Sequence, residues 1–408
     1  MHQIMNVCVA GKNNIAVEIL DHLIANYPEH NYVACLHQND SGINSFQRSF
    51  KKYCELKQVQ TLTLEEVQGL ENLIFLSLEF DKIVRVEKFK GARLYNIHFS
   101  KLPAYKGMST CALPILHNQK YVGVTLHLID NGIDTGDIIA QREFLIGDNT
   151  DAQQLYGKFI LEGIELVKEN ISELLADTVS SSPQPAKNAS YYSKYALDFS
   201  NLQIDLNKTA QEIHNQIRAY CFPAFQLPKV FGHSIYRSEL TDKKRVGKTG
   251  TVMFENGFYL TINGIDYQVQ LFKDRVGELM DYCKQGDFEG LLYFAEHGYD
   301  LTQRSKEGWD ALILAGFNGH LALVTYLIEQ MDWNVNTYNN NGTTFAMYVM
   351  TYASKQNTYD LFKYVLNLSA VNWDIPDYSG KNIFDYALIY NNQIVIDLLE
   401  AKRIPSAY

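Results

Sequence analysis

The sequence has few of the features that mark secreted, membrane-spanning or metal-binding proteins. Its six cysteines lie far apart, and no two of them form a CxxC pair. Such spacing predicts neither a disulfide framework nor a zinc site. No apolar run is long enough to cross a bilayer, and the first residues lack the basic and apolar segments of a signal peptide. We therefore expect a cytoplasmic protein that uses no metal and no membrane.

Positive charge is also scarce. The chain has 36 lysine and arginine residues against 46 aspartate and glutamate residues, which gives a formal net charge of -10. Its one short basic cluster, Lys243–Arg245, reads as a solvated turn. Since proteins bind nucleic-acid backbones with concentrated lysine and arginine, the composition disfavours a nucleic-acid partner. A single nucleotide needs only one or two cations and is still allowed.

The first part of the chain alternates between strand and helix patterns. An apolar run from Ile4 to Ala10 is closed by Gly11–Asn14 and followed by helical spacing from Ile15 to Ala25. Further buried-strand candidates are Tyr32–Leu36, Leu73–Leu78 and Ala92–Ile97. This alternation predicts an α/β domain with a doubly wound, mostly parallel sheet. Gly11 lacks the partner glycines of a dinucleotide fingerprint, so the first turn does not indicate NAD.

Different patterns follow from about residue 152. An amphipathic helix begins after Ala152, and Ser180–Pro185 reads as an exposed linker. Residues 230–272 carry two Asn-Gly turns between alternating strands, which predicts β-hairpins. We therefore expect an α/β catalytic domain over residues 1–190 and a hairpin-containing part over residues 191–272.

The remainder, residues 275–408, repeats itself. Gly308, Gly342 and Gly380 each open an apolar helical stretch, at spacings of 34 and 38 residues. A glycine-led turn with two helices at this period resembles ankyrin repeats, although the usual Thr-Pro-Leu-His is degraded. About three units plus capping pieces are expected, which form an all-α domain.

Two stretches carry residues suited to acyl transfer. Residues 95–107 read YNIHFSKLPAYKG, and residues 123–138 read GVTLHLIDNGIDTGDI. Asn96 and His98 alternate on one face at the carboxyl end of a predicted strand. An asparagine can stabilise an oxyanion, a histidine can move a proton near neutral pH, and a nearby carboxylate can orient the histidine. Taken singly, a strand-end histidine or an acidic turn is more often structural, so the prediction depends on both stretches occurring together.

Together and in this order, the two stretches resemble the folate-dependent formyltransferases, over roughly residues 1–270. The resemblance implies a formyltransferase-type fold, N10-formyltetrahydrofolate as cofactor, no metal, and Asn96, His98 and Asp134 as the catalytic residues. Asp134 is preferred to Asp130 and Asp137 because the family's catalytic aspartate lies seven residues beyond the motif histidine, here His127.

The closer likeness is to the sugar N-formyltransferases, which act on dTDP-linked 3-amino-3,6-dideoxy or 4-amino-4,6-dideoxy hexoses for O-antigen or other surface polysaccharides. It is carried by residues 11–14, 76–84 and 216–223. The implied cofactor-binding residues are Leu76, Ser77, Leu78, Glu79, Ile83 and Asp130. The implied substrate-binding residues are Lys12, Asn13, Lys101, Tyr105, Lys106, Arg218, Tyr220 and Phe222. For these positions a buried strand, a solvated loop and an aromatic hinge core are the structural alternatives.

Two other functions stay open at this stage. One is formylation of another amine, such as methionyl-tRNA or glycinamide ribonucleotide. The acidic charge argues against the former, and the C-terminal extension argues against the latter. The other is an ankyrin scaffold protein with an inactive formyltransferase domain, which the presence of all three catalytic residue types disfavours.

The sequence also predicts a partner chain and a ligand or partner for the ankyrin module. We expect a homodimer, because apolar hairpin residues would lie partly uncovered in a single chain; these are Phe258, Leu260, Tyr267, Val269 and Leu271. The ankyrin module is expected to bind either a protein or a regulatory nucleotide-sugar. Trp309 is the candidate for this second ligand site, since it follows Gly308 at a turn where side chains are expected to project outward, near Arg304, Lys306 and Lys381.

Overall fold

The computed structural model describes residues 4–403, so the ends of the predicted first and last domains, residues 1–3 and 404–408, lie outside the described residues. The chain divides into two compact units. One comprises residues 4–43 and 48–274, and the other comprises residues 275–403 with the short segment 44–47. Apart from residues 44–47, the described parts of both predicted segments, 1–190 and 191–272, therefore lie in the first unit.

A seven-stranded sheet with the order β3-β2-β1-β4-β5-β7-β8 forms the framework of the first unit. Its strands are β1 (Asn6–Gly11), β2 (Asn31–Leu36), β3 (Gln60–Thr61), β4 (Leu73–Leu78), β5 (Arg93–His98), β7 (Tyr121–Leu128) and β8 (Ile138–Leu145). The first five are parallel, and β7 and β8 run antiparallel to their neighbours. The predicted doubly wound, mostly parallel sheet is confirmed, and each predicted strand is found within two residues of its expected bounds.

Helices cover this sheet. They are α1 (Asn13–Asn26), α2 (Phe50–Lys57), α3 (Leu64–Gln68), α4 (Leu113–Leu116) and α5 (Ala152–Ala176). The amphipathic helix expected after Ala152 is α5, which begins with a capping box between Asp151 and Gln154. Its apolar stripe, including Leu155, Phe159 and Val167, is fully buried. Burial of this stripe is what holds so long a helix against the sheet.

The hairpin region forms a second, antiparallel sheet with the order β10-β11-β14-β13-β12. Its strands are β10 (Lys229–Val230), β11 (His233–Lys244), β12 (Val252–Glu255), β13 (Tyr259–Asn263) and β14 (Tyr267–Lys273). One face packs on α6 (Ala210–Tyr220), whose Ile213 and Ile217 share a core with Leu260 and Val269. The β-hairpins expected from the Asn-Gly turns are confirmed.

The position of α6 corrects part of the reasoning behind the dimer. Phe258, Leu260, Val269 and Leu271 are at most 1% exposed. Our expectation that a lone chain leaves them uncovered is wrong, because all four are buried within the single chain, and Leu260, Val269 and Leu271 share a core with α6. Tyr267 stays exposed at 41%.

The predicted linker is exposed but not detached. Among residues 180–185, Ser182 pairs with Ile138 at the start of β8, and Gln184 is only half-buried. A small parallel pair, β6 (Lys106–Gly107) with β9 (Tyr191–Tyr192), follows it. These contacts hold the linker against the loops that carry the predicted catalytic residues.

The second unit consists of four consecutive helix pairs. They are α7 (Val276–Gln285) with α8 (Phe288–Glu296), α9 (Ala311–Phe317) with α10 (Leu321–Glu329), α11 (Phe345–Gln356) with α12 (Asp360–Leu366), and α13 (Ile383–Tyr390) with α14 (Gln393–Arg403). The glycines that set the repeat period, Gly308, Gly342 and Gly380, all have positive φ. The turn before each later pair therefore requires a left-handed backbone that glycine adopts without strain. Among the helices of residues 4–403, none is long and apolar enough to span a membrane.

Candidate active site

A cavity of about 520 Å³ opens beside the carboxyl ends of the parallel strands. Its wall contains the three predicted catalytic residues, Asn96, His98 and Asp134, together with His127. Asn96 and His98 are two residues apart on β5, so their side chains share one face of the sheet. The loop after β7 brings Asp134 back toward them.

The ring of His98 has a defined orientation. Its Nε2 lies 2.8 Å from the carbonyl oxygen of Tyr105, and its Nδ1 lies 3.5 Å from Oδ1 of Asp134. A carbonyl oxygen can only accept, so Nε2 carries the hydrogen and Nδ1 faces the carboxylate. A proton taken up at Nδ1 is therefore stabilised by Asp134.

Asp134 also joins two loops. Its Oδ2 accepts a hydrogen bond from the backbone N–H of Gly107 at 2.8 Å. The side chain of Gln184, in the linker, donates to the carbonyl oxygens of Asp134 and Gly136, both at 2.8 Å. These bonds hold Asp134 in a left-handed backbone conformation, with φ of 53°. Sequence reasoning missed Gln184, because nothing local to a Ser/Pro-rich linker indicates a contact some 50 residues away.

Asn96 is oriented by a histidine to which the sequence analysis gave no role. Nδ1 of His127 donates to the carbonyl oxygen of Leu128 at 2.7 Å, which leaves Nε2 as an acceptor for Nδ2 of Asn96 at 3.0 Å. Burial lowers the pKa of His127, although the bond to Leu128 and the charge of Asp134 act in the opposite direction. The neutral ring fixes which end of the Asn96 amide bears hydrogen, and a second N–H of Asn96 is then left for a ligand.

The three aspartates of the loop have different surroundings. Among the described residues, only the carboxylate of Asp134 lies within 4 Å of both His98 and His127. Asp130 lines the cavity, but its Oδ1 accepts from the N–H of Gly132 and the hydroxyl of Thr135 and so shapes the turn. Gly136 is required here, because a Cβ at this position would collide with the carbonyl of Leu128. The choice of Asp134 over Asp130 and Asp137 is thus supported by geometry.

The predicted cofactor-binding residues are only partly in the cavity wall. Ser77, Glu79, Ile83 and Asp130 line it, whereas Leu76 and Leu78 are buried inside β4. Ile83 is 73% exposed and lies with Val84, Ile129 and Ile133 along the apolar part of the wall. Asp81 also lines the cavity, and its buried Oδ1 has no hydrogen-bond partner within residues 4–403. An apolar surface next to an unsatisfied acceptor fits a flat heterocycle that bears N–H donors.

Most of the predicted substrate-binding side chains lie elsewhere. Lys12 lines the cavity, as does His37, which sequence reasoning missed. Lys101 pairs with Glu143 on β8, and Lys106 lies in β6 outside the cavity wall. Tyr105 contributes its carbonyl to His98, while its ring stacks on Tyr192 at 5.5 Å.

Arg218, Tyr220 and Phe222 do not line the cavity either. Arg218 is 6% exposed and donates to the carbonyl oxygens of Gly147 and Thr150, so it ties α6 to the loop before α5. Phe222 stacks on Phe225 at 4.9 Å. Arg218 and Phe222 therefore have packing contacts within the first unit, and substrate binding by Arg218, Tyr220 and Phe222 stays a prediction.

The expectation that Trp309 projects outward is wrong. Its ring is half-buried and lies 4.6 Å from the ring of Tyr348 and 5.3 Å from that of Phe317. Arg304 is also engaged, since its guanidinium donates to Asp310, Thr337 and two backbone carbonyls. Both residues join successive helix pairs, because the degraded repeats use aromatic and charged side chains at their contacts.

Residues 20–170 match the formyl transferase family model, and residues 279–351 match a model of three ankyrin repeats. The chain is 30% identical over 228 residues to methionyl-tRNA formyltransferase of Fervidobacterium nodosum and covers 71% of its length. It belongs to the formyltransferase family. The enzyme therefore transfers a formyl group, and its C-terminal helix pairs are ankyrin repeats. Against several other curated methionyl-tRNA formyltransferases, it spans about half of their length.

Two solved structures are similar over a larger part of the enzyme. WlaRD, a sugar 3N-formyltransferase solved with dTDP and 5-N-formyl-THF, is 40% identical; the match covers 67% of this chain and 99% of WlaRD, with a TM-score of 0.62. The N-formyltransferase from Helicobacter canadensis, solved with folinic acid and dTDP-3-aminofucose, is 41% identical; the match covers 66% and 100%, with the same TM-score. The fold of the first unit is thus that of the sugar N-formyltransferases. Among residues 4–403, no group of three His, Cys, Asp or Glu side chains is arranged to hold a metal ion.

We predict that Asn96→Ala, His98→Ala and Asp134→Ala each lower turnover at least about a hundredfold, as expected for groups that stabilise charge or move a proton. Steady-state kinetics, with circular dichroism to verify folding, measures this. Asp137→Ala is the matched control and should keep near wild-type turnover. Near wild-type turnover of Asp134→Ala would transfer the carboxylate role to Asp130 or Asp137.

Proposed function

We propose that this enzyme transfers the formyl group of N10-formyltetrahydrofolate to the amine of a dTDP-linked amino-dideoxy sugar. The observation that carries the proposal is the identity of about 40% to two sugar N-formyltransferases over almost their whole length. WlaRD is a sugar 3N-formyltransferase solved with dTDP, and the Helicobacter canadensis enzyme was solved with dTDP-3-aminofucose. We therefore favour the 3-amino-3,6-dideoxy hexose over the 4-amino sugar.

The cavity offers a place for each ligand. The apolar wall formed by Ile83, Val84, Ile129 and Ile133, with Asp81 at its side, would hold the folate's ring system. Bound N10-formyltetrahydrofolate supplies an electrophilic formyl carbon. Lys12 and His37 also line the cavity and provide cationic and hydrogen-bonding groups, which suit a diphosphate.

The catalytic residues then have separate tasks. The free N–H of Asn96 donates to the formyl oxygen, where negative charge develops. Nδ1 of His98 takes up the proton that the attacking amine loses, and Asp134 stabilises the resulting imidazolium. The imidazolium would then return this proton to N10 of the folate as the bond between N10 and the formyl carbon breaks, so that tetrahydrofolate leaves and His98 is neutral again. His127 keeps Asn96 in its donating orientation, because its buried ring stays neutral.

Methionyl-tRNA is the competing substrate, because relatives such as that of Fervidobacterium nodosum are methionyl-tRNA formyltransferases. The net charge of -10 argues against it, since binding a large polyanion requires concentrated positive charge.

We predict turnover with dTDP-3-amino-3,6-dideoxyhexose and N10-formyltetrahydrofolate, detected by mass spectrometry as a formylated sugar. A panel of dTDP-3-amino and dTDP-4-amino sugars, methionyl-tRNA and glycinamide ribonucleotide gives the comparison, with His98→Ala as the inactive control. Faster formylation of methionyl-tRNA than of every sugar would refute the proposal.

We also propose that two copies of the chain associate through the outer strand of the antiparallel sheet. All four residues of β12 are exposed, and three of them, Val252, Met253 and Phe254, are apolar. An apolar edge strand of this kind is covered when a second copy pairs with it.

Light scattering at micromolar concentration should give the mass of a dimer. Phe254→Lys should shift the mass toward the monomer, because it places a charge in the covered edge. Leu161→Lys changes another exposed apolar residue, on α5, and should leave the dimer intact. A monomeric mass for the unaltered chain contradicts the proposal.

The second nucleotide-sugar site at Trp309 stays a prediction. If it exists, calorimetry with the dTDP-sugar should show two sites per chain, and Trp309→Ala should remove one and change the substrate-saturation curve. Trp373→Ala, in the same unit, is the control. One site per chain and an unchanged curve would leave protein binding as the role of the ankyrin repeats.

A further inference from the structure

Four side chains form a row along the carboxyl edge of the sheet. Gly11 pairs with Leu36 on one side and with Leu78 on the other, and Leu78 pairs with Ile97. The next residues on β2, β1, β4 and β5 are therefore neighbours, and they are His37, Lys12, Glu79 and His98. Adjacent strands lie about 4.8 Å apart. All four residues line the cavity.

Within this row, Glu79 lies between Lys12 and His98. A substrate that holds its phosphates at Lys12 and its amine at His98 must pass over Glu79. The distance to each side is about one strand spacing, which is close to the width of a sugar ring. The backbones also approach closely here, because a Cβ on Gly11 would collide with the carbonyl of Leu78.

The carboxylate of Glu79 is held from behind. Its Oε2 accepts hydrogen bonds from the hydroxyl of Tyr156 at 2.7 Å and from Nδ2 of Asn13 at 3.2 Å. Nδ2 of Asn13 also donates to the Tyr156 hydroxyl, at 2.7 Å. Burial raises the pKa of Tyr156 well above its usual value, so its hydroxyl stays a donor. The three side chains form a closed set that leaves Glu79 little freedom to turn.

The other carboxylate oxygen has no such support. Among the described residues, Oε1 of Glu79 has no hydrogen-bond partner, and the accessible part of this half-buried side chain lies in the cavity wall. Glu79 and Asn13 both adopt left-handed backbone conformations, with φ of 59° and 62°. Strain of this kind is retained where the surrounding structure holds a side chain in place for a function.

We propose that Oε1 of Glu79 accepts a hydrogen bond from the C4 hydroxyl of the sugar, which neighbours the reacting C3 amine, and that Glu79 thereby determines which amino sugars are used. This inference rests on the proposed function. A site built to bind a hydroxyl discriminates against the sugar that lacks it, since the acceptor is then left buried and unpaired. Tyr156 and Asn13 are positioning residues, which act through Glu79.

The experiment compares two substrates in three variants. The substrates are dTDP-3-amino-3,6-dideoxyhexose and its 4-deoxy counterpart, and kcat and KM are measured separately. For the unaltered enzyme we expect a kcat/KM about tenfold to a hundredfold lower with the 4-deoxy sugar. In Glu79→Gln the kcat/KM for the sugar with the C4 hydroxyl should fall about tenfold. The ratio of kcat/KM between the two sugars should then be about threefold or less. Tyr156→Phe should give an intermediate ratio.

Tyr53→Phe is the matched control, because Tyr53 also donates to a carboxylate, that of Asp21, at 2.7 Å but away from the cavity. It should keep the full ratio between the two sugars. Folate binding, measured by fluorescence without sugar, should change less than about twofold in all three variants.

Several results would overturn the inference. Equal kcat/KM for the two sugars in the unaltered enzyme would do so without any variant, even if Glu79→Gln failed to fold. The inference is also contradicted if Glu79→Gln keeps the same ratio of kcat/KM between the two sugars as the unaltered enzyme. A loss of folate binding in that variant would contradict it as well, because it would assign Glu79 to the pterin. No turnover with any dTDP-amino sugar would overturn the proposed function as well.

Discussion

The carboxylate of Asp134 is the interaction on which the active site depends. Its two oxygens bind different parts of the chain: Oδ2 binds the N–H of Gly107, and Oδ1 faces Nδ1 of His98. Strand β7 runs antiparallel to β5 and ends at Leu128, which pairs with Tyr95, three residues before His98. The loop that follows β7 must therefore fold back to reach His98. The Gly107 bond and the two bonds from Gln184 hold it in that folded-back position.

A second constraint is the protonation of His127. If this ring carried two hydrogens, its Nε2 would repel the N–H of Asn96, and the Asn96 amide would turn its oxygen toward the ring. Burial prevents this by disfavouring the charged form, and the carbonyl of Leu128 fixes the hydrogen on Nδ1. The protonation of His127 thus decides which end of the Asn96 amide carries the hydrogen that faces the cavity.

Several residues with a left-handed backbone lie at or near this site. Asn13, Glu79, Tyr105, Ser109 and Asp134 all have positive φ without being glycine. Each lies at a strand end or in a loop beside the cavity. Conformations of this kind cost free energy, on the order of 1–3 kcal/mol each, and they persist where the surrounding hydrogen bonds determine the local structure. The left-handed turns at Asn13 and Glu79 are needed to bring the two side chains onto one hydrogen-bonded set.

The sequence by itself determined the strands of the parallel sheet, the long helix after Ala152, the hairpins and the repeats. Each of these follows from a local period of apolar residues or from a turn residue. It also predicted a catalytic role for Asn96, His98 and Asp134, because the motifs that carry these residues are contiguous. Only the tertiary structure decided that Gln184 supports Asp134, that His127 orients Asn96, and that Arg218 and Trp309 contact neighbouring segments. These roles depend on contacts between segments far apart in the chain, and no local pattern encodes which loop folds back over which strand.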